Sequence, residues 1–159
     1  PYIIPGSVMG IALLMGFSSK PIKLMGTAAI IILAYVLRRM PYTIRSASAI
    51  LMNIHPSVEE ASMSLGASKL KTFIKITAPM MRGGVVSGAI LSWMTIISEL
   101  SASVLLYVTR TQTMTISIYT EVIRGNYGVA AAMSVMLTVV TILVLMLFFK
   151  VSGKREMSL

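Results

Sequence analysis

From Val129 to Phe149 the chain runs for twenty-one residues without a charge. At the 1.5 Å rise of an α-helix such a run is about 31 Å long, enough to cross the hydrocarbon core of a bilayer. Composition agrees with that reading. The chain is 56% hydrophobic and 12% charged, with a mean hydropathy of +0.86, too little charge for an ordinary soluble domain. A polytopic, all-α membrane protein is therefore expected. There is no cysteine, so no disulfide framework or thiolate metal site can be argued, and one His with five acidic residues leaves little catalytic chemistry. The formal net charge of +9 raises nucleic acid as a partner. The charges fall between apolar runs, however, which fits the orientation rule for membrane loops better.

Three further apolar runs complete an expected set of four spans, at about 2–17, 24–40, 83–108 and 129–149. Tyr2 to Phe17 is uncharged, and its Pro5, Gly6, Gly10 and Gly16 are tolerated in membrane helices. The chain opens on Pro1 with this run already under way, and it is expected to be the C-terminal piece of a longer polypeptide. Leu24 to Leu37 covers only about 21 Å, which by length alone fits a re-entrant or buried helix. Snorkelling by Arg38 and Arg39, with Tyr42 at the interface, extends it to a span. Gly83 to Val108 is interrupted only by Glu99 and reaches about 39 Å, enough to cross with tilt. Between the last two runs, Thr109 to Gly128 is expected to be an outer loop with a short surface helix around Met114, Ile116 and Ile118.

Counting lysines and arginines orients the four spans. Seven lie in Arg38 to Arg82 and three after Phe149, against four in the Ser18–Lys23 turn and the Thr109–Gly128 loop together. Ten against four places the 41–82 loop and the C-terminus in the cytoplasm.

That loop has helix-end chemistry of its own. Pro56 suits a first helical turn, and Ser57 with Glu60 three residues on is expected to form a capping box. Glu59 and Glu60 sit near the positive end of the helix dipole. Gly66 should end the helix in a left-handed cap. Ser68 can cap a second helix whose apolar stripe holds Leu70, Phe73 and Ile74, and Pro79 is expected to break it before the next span. Without further pattern, these residues would also fit a plain amphipathic loop drawn to anionic lipid.

The spacing supplies the further pattern. Glu60-Ala61-Ser62-Met63-Ser64-Leu65-Gly66, followed by Ile76-Thr77-Ala78-Pro79, resembles the coupling loop of ABC importer permeases of the type I fold. Their motif is Glu-Ala-Ala, three free residues, Gly, nine free residues, Ile, one free residue, Leu-Pro. Both gaps match, and the chain departs only at Ser62, where the family has its second Ala, and at Ala78, where it has Leu. Pro5-Gly6-Ser7 and Glu99-Leu100-Ser101 further resemble the ferric-iron branch. The resemblance implies that Glu60, Ala61 and Gly66 form the core of a helix docking on a nucleotide-binding ATPase subunit, with Ile76 and Pro79 anchoring its exit. It also implies an extracytoplasmic solute-binding protein and a second permease half or homodimer mate. ATP and Mg would be bound by the partner ATPase, with no cofactor in this chain and no catalytic role for it. The location implied is the inner membrane.

The remaining residues sharpen or limit this reading. The only Gly-Lys step is Gly153-Lys154, followed by Arg155, so the chain has no P-loop. Glu99, about 24 Å along its run from Gly83, is a functional candidate either as a structural hydrogen-bonding group or in the pathway or binding-protein contact. Fourteen methionines are scattered, and read as packing filler rather than a soft-metal route. His55 lacks ligand-spaced neighbours, and a loop-capping or partner-contact role suits it better than metal binding. Gly6 with Gly10, and Gly84 with Gly88, are small-xxx-small pairs that favour close helix contact. Rival cargoes are thiamine, a polyamine, a phosphonate or an oxyanion. Rival classes are a membrane anchor or assembly subunit and, disfavoured by the lack of a charged ring or filter signature, a passive channel.

Overall fold

The computed structural model describes residues 3–152, and among these all regular structure is helical. In chain order the α-helices are α1 (Gly6–Phe17), α2 (Ala28–Asn53), α3 (Ser57–Ser64), α4 (Lys69–Thr72), α5 (Ala78–Ile96), α6 (Ser103–Leu106), α7 (Met114–Ile123) and α8 (Tyr127–Ser152). A π-helical turn over Phe73–Thr77 joins α4 to α5. Lys154 and Arg155 of the expected basic tail, and Tyr2 at the head of the first run, lie outside the described residues.

The framework is the pair α2 and α5, which run antiparallel. Gly84 faces Ser46, Gly88 faces Thr43, and the Ser92 hydroxyl donates to the Arg39 carbonyl, so numbers rise along one helix as they fall along the other. The approach is close because the glycines have no side chain. A Cβ on Gly88 would lie 2.4 Å from the Thr43 Cα, and one on Gly84 would lie 2.5 Å from the Ser46 carbonyl oxygen. The second glycine pair works similarly: Gly6 and Gly10 of α1 lie against Ser101, Arg38 and Leu105. A small core of Leu13, Ile30, Ile31, Ala34, Ala102 and Leu106 joins α1, α2 and α6. Helix α7 packs on α8 with Ile116 fully buried, so its apolar patch faces the protein.

The helix ends depart from the sequence expectation in three places. Only α8, over Tyr127–Lys150, is by itself long and apolar enough to cross a membrane among the described residues. The second run starts at Ala28 rather than Leu24 and does not stop at Arg39–Met40, but continues through Pro41 to Asn53. Arg38 and Arg39 therefore lie inside a helix, not at an end where they could snorkel. The 83–108 run is not one helix: α5 ends at Ile96, a non-helical segment follows, and α6 is a single turn. Such a break inside protein requires its freed backbone groups to find partners. They do: Thr115 donates its hydroxyl to the Ile97 carbonyl at 2.9 Å, Ser103 donates to the Glu99 carbonyl at 3.2 Å, and the Ala102 amide donates to Glu99 Oε1 at 3.2 Å.

Candidate functional site

Between α2 and α5 the chain folds a compact loop unit. Pro56 already has helical dihedrals (φ −56°, ψ −29°) and acts as the N-cap, so Ser57 is the first helical residue. The expected Ser57–Glu60 capping box is consequently out of register and does not form. Ser57 instead bonds His55, with Ser57 Oγ 2.8 Å from His55 Nδ1, so the lone histidine closes the loop entry. At the other end the expectation holds. Gly66 has φ +86°, the Gly66 amide donates to Met63 O and the Ala67 amide to Ser62 O. This pair of bonds is a Schellman cap, which satisfies the last carbonyls of α3 and requires a residue free of Cβ strain. Ser68 caps α4 by accepting from the Lys71 amide, as expected.

Pro79 does not break the helix that follows. A proline removes one backbone donor and its ring clashes with the carbonyl four residues earlier. Here the π turn shifts the register just before it, with the Ala78 amide donating to Phe73 O, and the chain passes into α5 with Pro79 in its first turn. Ile76 lies within the π turn, half-buried, and Pro79 is exposed. Glu60, Ala61 and Gly66 are all exposed, on a helix with no buried residue. Beside them Leu65 is 90% exposed and Leu70 is 68% exposed. The five motif residues thus gather on one projecting unit, although Ile76 and Pro79 occupy its return limb rather than α3.

The opposite face of α3 is tied down by residues outside the motif core. Thr77 Oγ1 donates to Glu59 Oε1 at 2.6 Å, and the Ser62 and Thr72 hydroxyls are 3.0 Å apart. Both threonines are buried. Glu59 and Glu60, adjacent at the positive end of the helix dipole, thus part company, one facing inward and the other outward.

Glu99 occupies the break between α5 and α6 and is 6% exposed. Its Oε2 accepts from Arg38 Nη1 at 2.5 Å and from Arg39 Nη2 at 2.7 Å. Arg39 also donates to the Thr95 carbonyl at 3.2 Å and lies over the Tyr42 ring, and Tyr35 is hydrogen-bonded to Ser103 at 2.6 Å. One carboxylate against two guanidiniums leaves this cluster with a net charge of +1. It is a fixed junction of α2 with the helix break, and Gly6 of α1 closes over it: a Cβ there would lie 2.7 Å from Arg38 Nη1.

A helical framework closed by paired glycines, a long apolar helix and a projecting loop between two long helices define an all-α membrane permease. The chain belongs to the family described as binding-protein-dependent transport system inner membrane component, whose model matches residues 1–156. Relatives include the ferric transport system permease protein FbpB of Actinobacillus pleuropneumoniae, 34% identical over 96% of this chain and 22% of that protein. The molybdate/tungstate transport system permease protein WtpB of Pyrococcus abyssi is 34% identical over 83% of this chain and 51% of its own length. A Salmonella paratyphi A permease provisionally named for 2-aminoethylphosphonate transport is 30% identical, over 92% of this chain and 55% of that protein. The chain thus matches between about a fifth and just over half of the length of these relatives.

Proposed function

We propose that this chain is part of the membrane-spanning permease subunit of an ATP-driven, binding-protein-dependent importer, and that α3 with its return limb couples a partner ATPase to the spans. The observation that carries the reading is the exposed α3, stopped by Gly66 at φ +86° and set between the two helices of the main antiparallel pair. A push on a rigid, projecting helix displaces both its neighbours. Glu60 and Ala61, with exposed Leu65, face the ATPase; Ile76 and Pro79 carry the limb back to α5. ATP and Mg are held by that ATPase, and this subunit is non-catalytic. The lysine and arginine count supports a cytoplasmic loop, and the binding protein delivers cargo from the opposite side to a pathway shared with a second permease half or a homodimer mate.

Ferric iron is the cargo favoured by the Pro5-Gly6-Ser7 and Glu99-Leu100-Ser101 likeness and by the ferric name of one relative. A second cargo reading, an oxyanion or phosphonate, is supported by one feature: two part-buried arginines face a single carboxylate, a cluster whose net positive charge suits an anion. Ligand screening of the cognate binding protein separates the two.

The coupling reading is tested by reconstituting the complete permease with its ATPase and loaded binding protein in liposomes. Gly66→Val forces a β-branched residue into a left-handed conformation, which costs about 1–2 kcal/mol in backbone strain. Binding-protein-stimulated hydrolysis should fall severalfold in that variant. Wild-type stimulation would overturn the mechanical role assigned to α3.

A further inference from the structure

The motif residues account for the outer face of α3 but not for what holds the helix in place. An eight-residue helix with no buried side chain has little apolar contact to anchor it, and a push applied to it would be absorbed by its flanking turns. The inner face supplies two specific ties. Glu59 and Ser62 are three residues apart and so share one side of α3. They reach Thr77 and Thr72, which are 1% and 3% exposed on the return limb.

Those two threonines are five residues apart, and on a regular α-helix their side chains would diverge by roughly 140°. The π turn between them has more residues per turn and closes that angle, so that both hydroxyls meet α3. Ser62 is one of the two positions at which the sequence departs from its motif. An alanine there could make no bond to Thr72, so this tie exists because of the departure.

We propose that Glu59–Thr77 and Ser62–Thr72 form a latch that transmits displacement of α3 directly into α5, and that these four are positioning residues for coupling. The proposal rests on the coupling reading above and adds the route that the load takes. Through the latch, movement of α3 enters the buried side of the π turn and then the first turn of α5. Without it, the covalent connection runs around the Leu65–Ser68 turn and the His55–Pro56 entry.

The test uses the complete permease with its ATPase and binding protein in liposomes, comparing wild type, T72V/T77V, E59Q, and a Ser62→Cys/Thr72→Cys pair. Thr→Val keeps shape and removes both hydroxyls; Glu59→Gln keeps an acceptor oxygen for Thr77. In T72V/T77V the ATPase should still co-purify and hydrolyse ATP, while cargo moved per ATP falls about tenfold, the effect of losing two ordinary hydrogen bonds. E59Q should remain within about twofold of wild type, and oxidising the cysteine pair should restore the ratio lost on its reduction. Full cargo per ATP in T72V/T77V would overturn the latch.

Amide hydrogen exchange on the same variant gives a readout independent of the ATPase. Exchange across α3 should rise about tenfold while α8 is unchanged. Unaltered protection of α3 would overturn the latch whether or not the coupling reading stands. A wild-type α3 whose protection is unaffected by adding the ATPase would sink the coupling reading instead.

Discussion

Replacing Glu99 by glutamine is the sharpest perturbation this fold offers, because it changes one atom and the charge balance of an interior junction. Glu99 Oε2 holds both Arg38 and Arg39, and Oε1 holds the Ala102 amide; the carboxylate side chain is 5% exposed and each arginine 14%. Glutamine keeps one acceptor oxygen but turns an amide NH2, a donor, toward the other contacts, and the cluster goes from a net charge of +1 to +2. Removing one partner of a buried pair costs about 3–5 kcal/mol, because the charge left behind has no compensation. That is at least a hundredfold in the folding equilibrium. The opposite change is milder. Arg39→Met takes the cluster to zero, leaves Arg38 and Glu99 paired, and loses the Arg39–Glu99 bond, the Thr95 bond and the contact with Tyr42, a cost of about 2–3 kcal/mol because the carboxylate keeps one guanidinium. In the double variant the net charge returns to +1, so part of the Glu99→Gln cost should be recovered. Unfolding of the purified full-length protein in mixed micelles measures all three. A Glu99→Gln protein within about 0.5 kcal/mol of wild type, the range of an ordinary surface change, would refute the reasoning. So would an Arg39→Met variant less stable than Glu99→Gln.

Gly88→Ala should separate α2 from α5, because the new Cβ meets the Thr43 backbone at 2.4 Å and no side chain can rotate out of its way. The expected destabilisation is about 1–3 kcal/mol in the same unfolding assay, and a neutral result would contradict the close crossing. At the end of α7, the Asn126 amide and then the Arg124 guanidinium hold the Glu121 carboxyl below the usual carboxylate range. Because the folded value is lowered, the stabilising contribution is present above the unfolded value and disappears as pH falls through the folded one. An NMR titration of Glu121 should therefore place its midpoint below that of an Asn126→Ala variant.

Much of the fold was legible because local chemistry and period agreed. The uncharged run from Val129 became α8, Gly66 ended α3 where a left-handed residue was needed, and Ser68 capped α4. The glycine pairs found their close contacts. Charge and proline are weaker punctuation in this fold. Arg38, Arg39 and Pro41 look like the end of a span, yet α2 runs through all three to Asn53. Pro79 looks like a stop, yet a π turn shifts the register and the helix continues. The capping box failed by a single residue, since Pro56 starts α3 one position earlier than Ser57 would.

The departure at Arg38 and Arg39 has one physical cause. Within a single apolar run, a lone arginine must reach the interface and a lone carboxylate must find solvent or a cation. The partners are about sixty residues apart in sequence, on α2 and in the break after α5, and no period or motif connects them. Once paired, the arginines no longer mark a helix end, and Glu99 has its cations inside the fold. The same pairing explains why the 83–108 run breaks where it does. Continuing α5 past Ile96 as a regular helix would commit the Ala102 amide to the backbone carbonyl four residues earlier and give up its bond to Glu99 Oε1. The helix break and the ion cluster are thus one structural decision, and the Glu99→Gln cost should be accompanied by loss of amide protection across Ile97–Ala102, with the middle of α8 unaffected.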